Sequence, residues 1–304
     1  MVRSYHIASS RISPCDDNCS QITLFVDPTE EERQYLTHDL GIDEHTLQSA
    51  LDPDELSRLE FEDNYVGIIY KRPRNYSAAD NLLFKIMSSG VFLLDNRLIV
   101  LMPDDAPLFD GKLFTRVRSL NDVVLRLIYR SAMHFLEHLK VINMISDELE
   151  QKVKSSMENR VLINMFTLEK SLVYYLNAIN GNSVLLERLK MSAARLKFTP
   201  DELDLLADIA IENNQCYKQA DIYSNILASL MDARVSIVSN NLNILMKTLN
   251  IITIMIMVPT LVVSAFSMNV GIPLSGHPLA FWFIMGFATI SVALFILFWR
   301  YKKW

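Results

Sequence analysis

LMDARVSIVSNNLNILMKTLNIITIMIMVPTLVVSAFSMN, residues Leu230–Asn269, is the stretch whose reading decides the fold. Asp232 is the last acidic residue of the sequence, and no residue from Leu249 to Trp299 carries a formal charge. Leu249–Phe266 is a run of 18 mostly apolar residues, and Leu279–Trp299 is a second run of 21. At about 1.5 Å per residue, each is long enough to cross a hydrocarbon core of about 30 Å. A pair of buried core helices is the competing reading. The missing charge, Trp282 and Trp299 bracketing the second run, and the basic tail Arg300, Lys302 and Lys303 favour two membrane spans.

Within that stretch, alternate steps of four and three from Asp232 meet Ser236, Ser239, Asn243, Met246, Asn250, Thr253, Met257, Thr260, Ser264 and Ser267. Every one is polar or Met, while the flanking faces carry Ile, Leu and Val. A 3.5-residue period is the seam of a left-handed supercoil. An ordinary seam is apolar; this one offers hydroxyls, amides and thioethers over ~53 Å of helix. Polar groups in a membrane helix face a bundle interior or a water-filled cavity. A ring of such helices encloses a hydrated pore whose neutral oxygens suit a hard cation that keeps part of its water. The bland alternative is small-residue glue between two packed helices, which accounts for Thr260 and Ser264 but less well for the whole stripe.

Upstream, Thr199-Pro200-Asp201-Glu202 is a strong helix start, with Thr as N-cap, Pro first and Glu third. No glycine falls between Gly181 and Gly271, and the one proline, Pro259, lies inside the first span, where membrane helices tolerate it. One helix from Pro200 to Phe266, about 100 Å long, is expected. Ser267–Pro278 holds Gly271, Pro273, Gly276 and Pro278 and reads as a tight loop. The loop has no Lys or Arg, whereas Lys247 and the tail flank the spans. The positive-inside rule therefore puts the loop outside and both chain ends in the cytoplasm. The N-terminal MVRSYHIASS has no apolar signal region.

The 35 acids and 29 bases give a net charge of −6. Residues 1–248 hold all the acids against 26 bases, a net −9, so an acidic body is joined to a basic collar. The acidic balance disfavours a nucleic-acid partner. No Gly-rich phosphate loop occurs. Residues 1–120 are expected to form an α/β domain. Strands are expected at Gln21–Val26, Tyr65–Tyr70, Lys85–Leu94 with a bend at Gly90, and Arg97–Met102. A helix is expected to follow Asp27 as its N-cap, and another to follow Gly41. Lys71–Asp80 reads as a loop. Residues 121–198 read as helical, Asn121–Asn159 and Leu162–Lys190, with a break near Gly181. Residues 199–266 follow as stalk and first span, 267–278 as the external loop, 279–299 as the second span and 300–304 as the tail. Cys15 and Cys19 read as free thiols in a mobile N-terminal segment of a reducing compartment. His134-Phe135-Leu136-Glu137-His138 matches a short zinc-peptidase pattern but sits in an ordinary amphipathic helix, so no enzyme is expected.

With these residues in view, the chain resembles the CorA family of two-span divalent metal transporters. The likeness is strongest over Leu230–Asn269 and recognisable in Asp52–Tyr65 and Val91–Leu101. The resemblance implies a homopentameric funnel in the cell membrane: an α/β cytoplasmic domain, a long helical stalk and a two-helix transmembrane hairpin. It implies that the first spans line a pore. Asn269 would be the signature asparagine holding a hydrated cation at the outer mouth, Asn243 an inner polar ring and Asp232 the stalk aspartate. Ser239, Asn250, Thr253, Met257, Thr260, Ser264, Ser267 and Met268 would line the pore, with Met246 and Leu249 at an apolar constriction. Asp208, with Glu212, would bind regulatory Mg²⁺ between protomers. Asp201, Asp204, Asp208 and Glu212 crowd one stretch, and five copies repel unless cations bridge them. Asp80 is the candidate partner carboxylate. The signature reads Ser267-Met268-Asn269, with Ser where the family has Gly. The implied activity is Mg²⁺ influx, with Co²⁺ or Ni²⁺ as further cargo. Zn²⁺ transport as in the ZntB branch, or a non-conducting membrane-anchored sensor or scaffold, are the alternatives.

Overall fold

The computed structural model describes residues 1–15, 20–155, 159–268, 271 and 277–302. The chain divides into two compact units, Met1–Met231 and Asp232–Trp304.

The first unit is built on one seven-stranded sheet: β1 (Val2–Ala8), β2 (Arg11–Pro14), β3 (Ile22–Val26), β4 (Arg58–Phe61), β5 (Val66–Pro73), β6 (Ile86–Leu94) and β7 (Arg97–Met102). Their order is β2-β1-β3-β7-β6-β5-β4, and only β3 and β7 run parallel. Alternation sorts the side chains between two faces. Ile22, Leu24, Val26, Leu98, Val100 and Met102 point to one core, and Phe25, Ile99 and Leu101 to the other. The first face packs against α3 (Leu120–Ser155), α4 (Asn159–Met191) and the start of α5 (Pro200–Phe266). The second is covered by the short helix α2 (Glu44–Leu51), through Leu47 and Ala50, and by Leu36 and Ile42 from the segment between the short helix α1 (Glu30–Gln34) and α2. The result is an α/β sandwich.

Five local expectations are corrected here. The N-terminal segment expected to be mobile is a paired hairpin, and the Cys15 N–H donates to the Ser4 carbonyl at 2.9 Å. Cys19 lies outside the described residues. The first helix is capped by Thr29, in a reciprocal capping box with Glu32, while Asp27 adopts a left-handed backbone (φ 43°) before it. α4 runs through Gly181 without a break, because the glycine lets the helix approach Ser57: a Cβ there would lie 3.2 Å from Ser57 Oγ. Gly90 likewise serves a close approach rather than a bend, since a Cβ would fall 2.6 Å from the Ala50 Cβ on α2. β5 reaches Pro73, so the expected loop over Lys71–Asp80 begins later.

Two buried asparagines tie α4 to the sheet and α5 to α4. Asn182 of α4 accepts from the Lys71 N–H (2.8 Å) and Ser57 Oγ (2.9 Å) and donates to the Lys71 carbonyl (2.8 Å). Asn213 of α5 donates to the Ile179 carbonyl and Ser183 Oγ of α4.

Helix α5 starts as its sequence dictates. The Thr199 N–H donates to Glu202 Oε2 (2.7 Å), and the Glu202 N–H donates to Thr199 Oγ1 (3.3 Å). It stays helical past Pro259 to Phe266. The second unit holds the end of α5 and α6 (Ala280–Lys302). Each of these helices contains a window long and apolar enough to cross a membrane.

Candidate cation pathway

In the second unit, α6 packs against one side of α5. Phe266 stacks on Phe287 (centroids 6.3 Å, planes 7° apart), and Val262 and Phe266 share a hollow with Ile290 and Leu294. On α5 the half-buried residues of this segment are Ile251, Met255, Val258, Pro259, Val262 and Phe266. On α6 the matching face is Ile284, Ala288, Ser291, Val292 and Phe295, with Ala288 buried. At 3.6 residues per turn, the α5 set centres roughly 180° around the helix from Asn250, Thr253, Met257, Thr260, Ser264 and Ser267. Those six are all exposed in the single chain, as are Asp232, Ser236, Ser239, Asn243, Met246, Leu249 and Met268. The polar face is therefore not glue between α5 and α6. Asn269 lies outside the described residues.

The hydroxyls on this face are already oriented. Thr253 Oγ1 donates to the Leu249 carbonyl (2.8 Å), Thr260 Oγ1 to the Ile256 carbonyl (2.6 Å), and Ser267 Oγ to the Ser264 carbonyl (2.9 Å). Each donor is spent inside the helix, as Ser and Thr do in apolar surroundings. Each oxygen keeps acceptor capacity for a group outside the helix. A row of acceptor-only oxygens without formal charge can exchange water for a hard cation and release it again.

In the first unit, Asp204 and Asp208 are exposed on α5 and Glu212 is half-buried. Glu212 and then Asp208 add, after burial, to the upward shift of the Tyr129 pKa. Asp201 is ion-paired with Arg118, which removes it from the uncompensated set. Glu202 is buried and consumed by the cap and by Ser119. Asp80 accepts from Ser77 N–H (3.0 Å) and Oγ (2.8 Å) and pairs with Lys85 at 3.3 Å. Those hydrogen bonds, the Ser77 hydroxyl first, lower its pKa. Among the described residues no three acidic, His or Cys side chains of one chain converge as a metal site.

His134 and His138 do share a face of α3, with ring centroids 4.4 Å apart, but His138 Nδ1 is bonded to the Tyr175 hydroxyl (2.6 Å). Burial pushes both imidazoles down to about 4, so both are neutral packing groups at neutral pH.

The CorA-like Mg²⁺ transporter protein family model matches residues 23–302. The cobalt/magnesium transport protein CorA of Methanocaldococcus jannaschii is 25% identical over 296 residues, covering 91% of this chain and 89% of the relative. The complete structure of the CorA magnesium transporter from that organism superposes with a TM-score of 0.83 at 21% identity, over 99% of this chain and 97% of that one. Full-length CmaX superposes with a TM-score of 0.70 at 16% identity, over 97% and 89%. The ZntB cytoplasmic domain from Vibrio parahaemolyticus gives 0.61 at 12%, over 78% and 98%. The match over nearly the whole chain, on a fold with two apolar C-terminal helices, makes this protein a member of the CorA-like Mg²⁺ transporter family, a membrane transporter of divalent cations and not an enzyme.

Proposed function

We propose that the protein mediates Mg²⁺ influx as a homopentamer in the cell membrane, with Co²⁺ or Ni²⁺ as further cargo. The observation that carries this reading is the position of the polar face of α5 opposite α6. With α6 on the outside toward lipid, five copies of α5 would bring that face to a common axis. Asn269 would then ring the outer mouth, Asn243 and Asp232 the inner part, and Met246 and Leu249 a constriction that closes by dewetting. Both termini lie in the cytoplasm in this arrangement, consistent with the charge-free loop and basic tail. Influx is driven by the membrane potential, about 4.6 kcal/mol for a divalent ion at 100 mV.

Gating follows from the acidic stretch of α5. Asp208 and Glu212 have no third ligand among the described residues of their own chain, so a cation there recruits one from the neighbouring protomer. High cytosolic Mg²⁺ bridges the protomers and holds them closed; its loss lets them splay and the pore hydrate. Proteoliposome flux compared for Mg²⁺, Co²⁺, Ni²⁺ and Zn²⁺ tests the reading. It predicts Mg²⁺ uptake that Asn269→Ala abolishes. Zn²⁺ preference would assign the chain to ZntB-type transport, which the likeness to the ZntB domain keeps in view. Flux silence in intact pentamers would make it a sensor or scaffold, with Ser267 in the glycine position as the cause.

A further inference from the structure

A cleft of about 640 Å³ opens between α3 and the loop that follows β7, in the size range of small-molecule pockets, about 300–1,000 Å³. Four cationic side chains line it: Arg72 from β5, Arg126 and Arg130 from α3, and Lys112 from the loop. Asp110 and Glu137 are the lining acids. Arg72 is buried and ion-paired with Asp104, and Arg126 pairs with Asp122 at 2.6 Å. Arg130 is held differently. Its Nη1 donates to the carbonyls of Leu108 (2.9 Å) and Asp110 (2.8 Å), and it ion-pairs with none of the described carboxylates. Lys112 also pairs with none of them.

A guanidinium held by neutral carbonyls is fixed in place with its charge uncompensated. The neighbouring His134 registers this charge, since Arg72 and Arg130 add to burial in lowering its pKa. Asp208 and Glu212 act on Tyr129, another lining residue, and mark an acidic border of the cleft. A fixed guanidinium beside a flexible ammonium is the pairing that receives phosphoryl oxygens, the first by planar, bidentate hydrogen bonds and the second as a point charge. We propose that this cleft binds a small phosphoryl-bearing anion, with Arg130 and Lys112 as its main contacts. The site is built from residues of the first unit alone and does not depend on conduction.

The test is calorimetric titration of inorganic pyrophosphate into the full-length protein, in nanodiscs of phosphatidylcholine alone and without divalent cations. Saturable, salt-sensitive binding that weakens at least about tenfold in Lys112→Glu is the expected result. The Lys112 side chain makes no described hydrogen bond or ion pair, so this variant reads the ligand contact rather than the fold. Arg130→Gln should weaken binding further, with thermal melting used to check that the loop still holds. No saturable binding by the wild type, or equal affinity in Lys112→Glu, overturns the proposal. Parallel titrations with a soluble inositol polyphosphate and a nucleoside triphosphate distinguish a lipid headgroup from a nucleotide source. Tighter, Lys112-dependent binding of either supports the site and names its source.

Discussion

The ring of Phe266, at the end of α5, lies parallel to that of Phe287 on α6, with centroids 6.3 Å apart. This contact fixes which side of α5 is covered, and so which side is left exposed.

Phe287→Ala removes the stack and loosens the hairpin. Aromatic pairs contribute about 1 kcal/mol beyond area burial. Thermal melting of the detergent-solubilised protein should show a lower midpoint. The order of metal preference in flux assays should not change, because no polar-face residue is touched.

Asn182→Ala leaves the Lys71 N–H without its side-chain acceptor inside the first unit, while the Lys71 carbonyl keeps the Ser131 hydroxyl (2.6 Å). An unsatisfied buried polar group costs about 1–3 kcal/mol, so a loss of that order or more is expected in denaturant unfolding. Asn182→Asp should not rescue, since a carboxylate cannot donate to the Lys71 carbonyl.

Gly90→Ala drives a methyl group into Ala50. Overpacking of this kind costs about 1–3 kcal/mol. Combining it with Ala50→Gly should recover most of the loss, and a double-mutant cycle measures the coupling directly. Additive effects would show that Gly90 is needed for another reason.

Acid should weaken the first unit through its buried imidazoles. His134 and His138 fall to about 4 from 6.5, chiefly by burial, so the unfolded chain binds more protons between those values. Stability is then fully present above about pH 6.5 and is lost as the pH falls toward 4. His138→Phe should flatten that part of the pH–melting curve. Lys71 works in the alkaline range: burial lowers it to about 8 from 10.5, so its contribution to stability rises as the pH climbs through that interval.

Much of this was legible in the residues. The capping box at Thr199 and Glu202 and the glycine-free run after it are local signals, and α5 starts and ends where they place it. The strands Arg97–Met102 and Ile86–Leu94 are dense in branched apolar residues and equally plain. By contrast, β1 (VRSYHIA) is half-exposed, and β4 (RLEF) is a short edge strand whose pattern carries almost no periodicity. Gly90 and Gly181 read as breaks because the contacts they permit, to Ala50 and Ser57, come from distant parts of the chain. The polar stripe of α5 could be listed from the sequence, but the faces beside it are all apolar. Which of them meets α6 depends on packing, and so only the structure separates the stripe from the helix–helix seam.

The most direct measurement is thiol accessibility along α5 in the reconstituted protein, in a background with Cys15, Cys19 and Cys216 replaced. Single cysteines at Asn250, Thr253 and Thr260 should react with a membrane-impermeant thiol reagent, and Mg²⁺ flux should fall as they do. Cysteines at Met255 and Val262, on the side that meets α6, should stay unreactive and conduct normally. The reverse pattern, with the α6-facing positions reactive and the polar-face positions silent, would contradict a cation pathway along the polar face of α5.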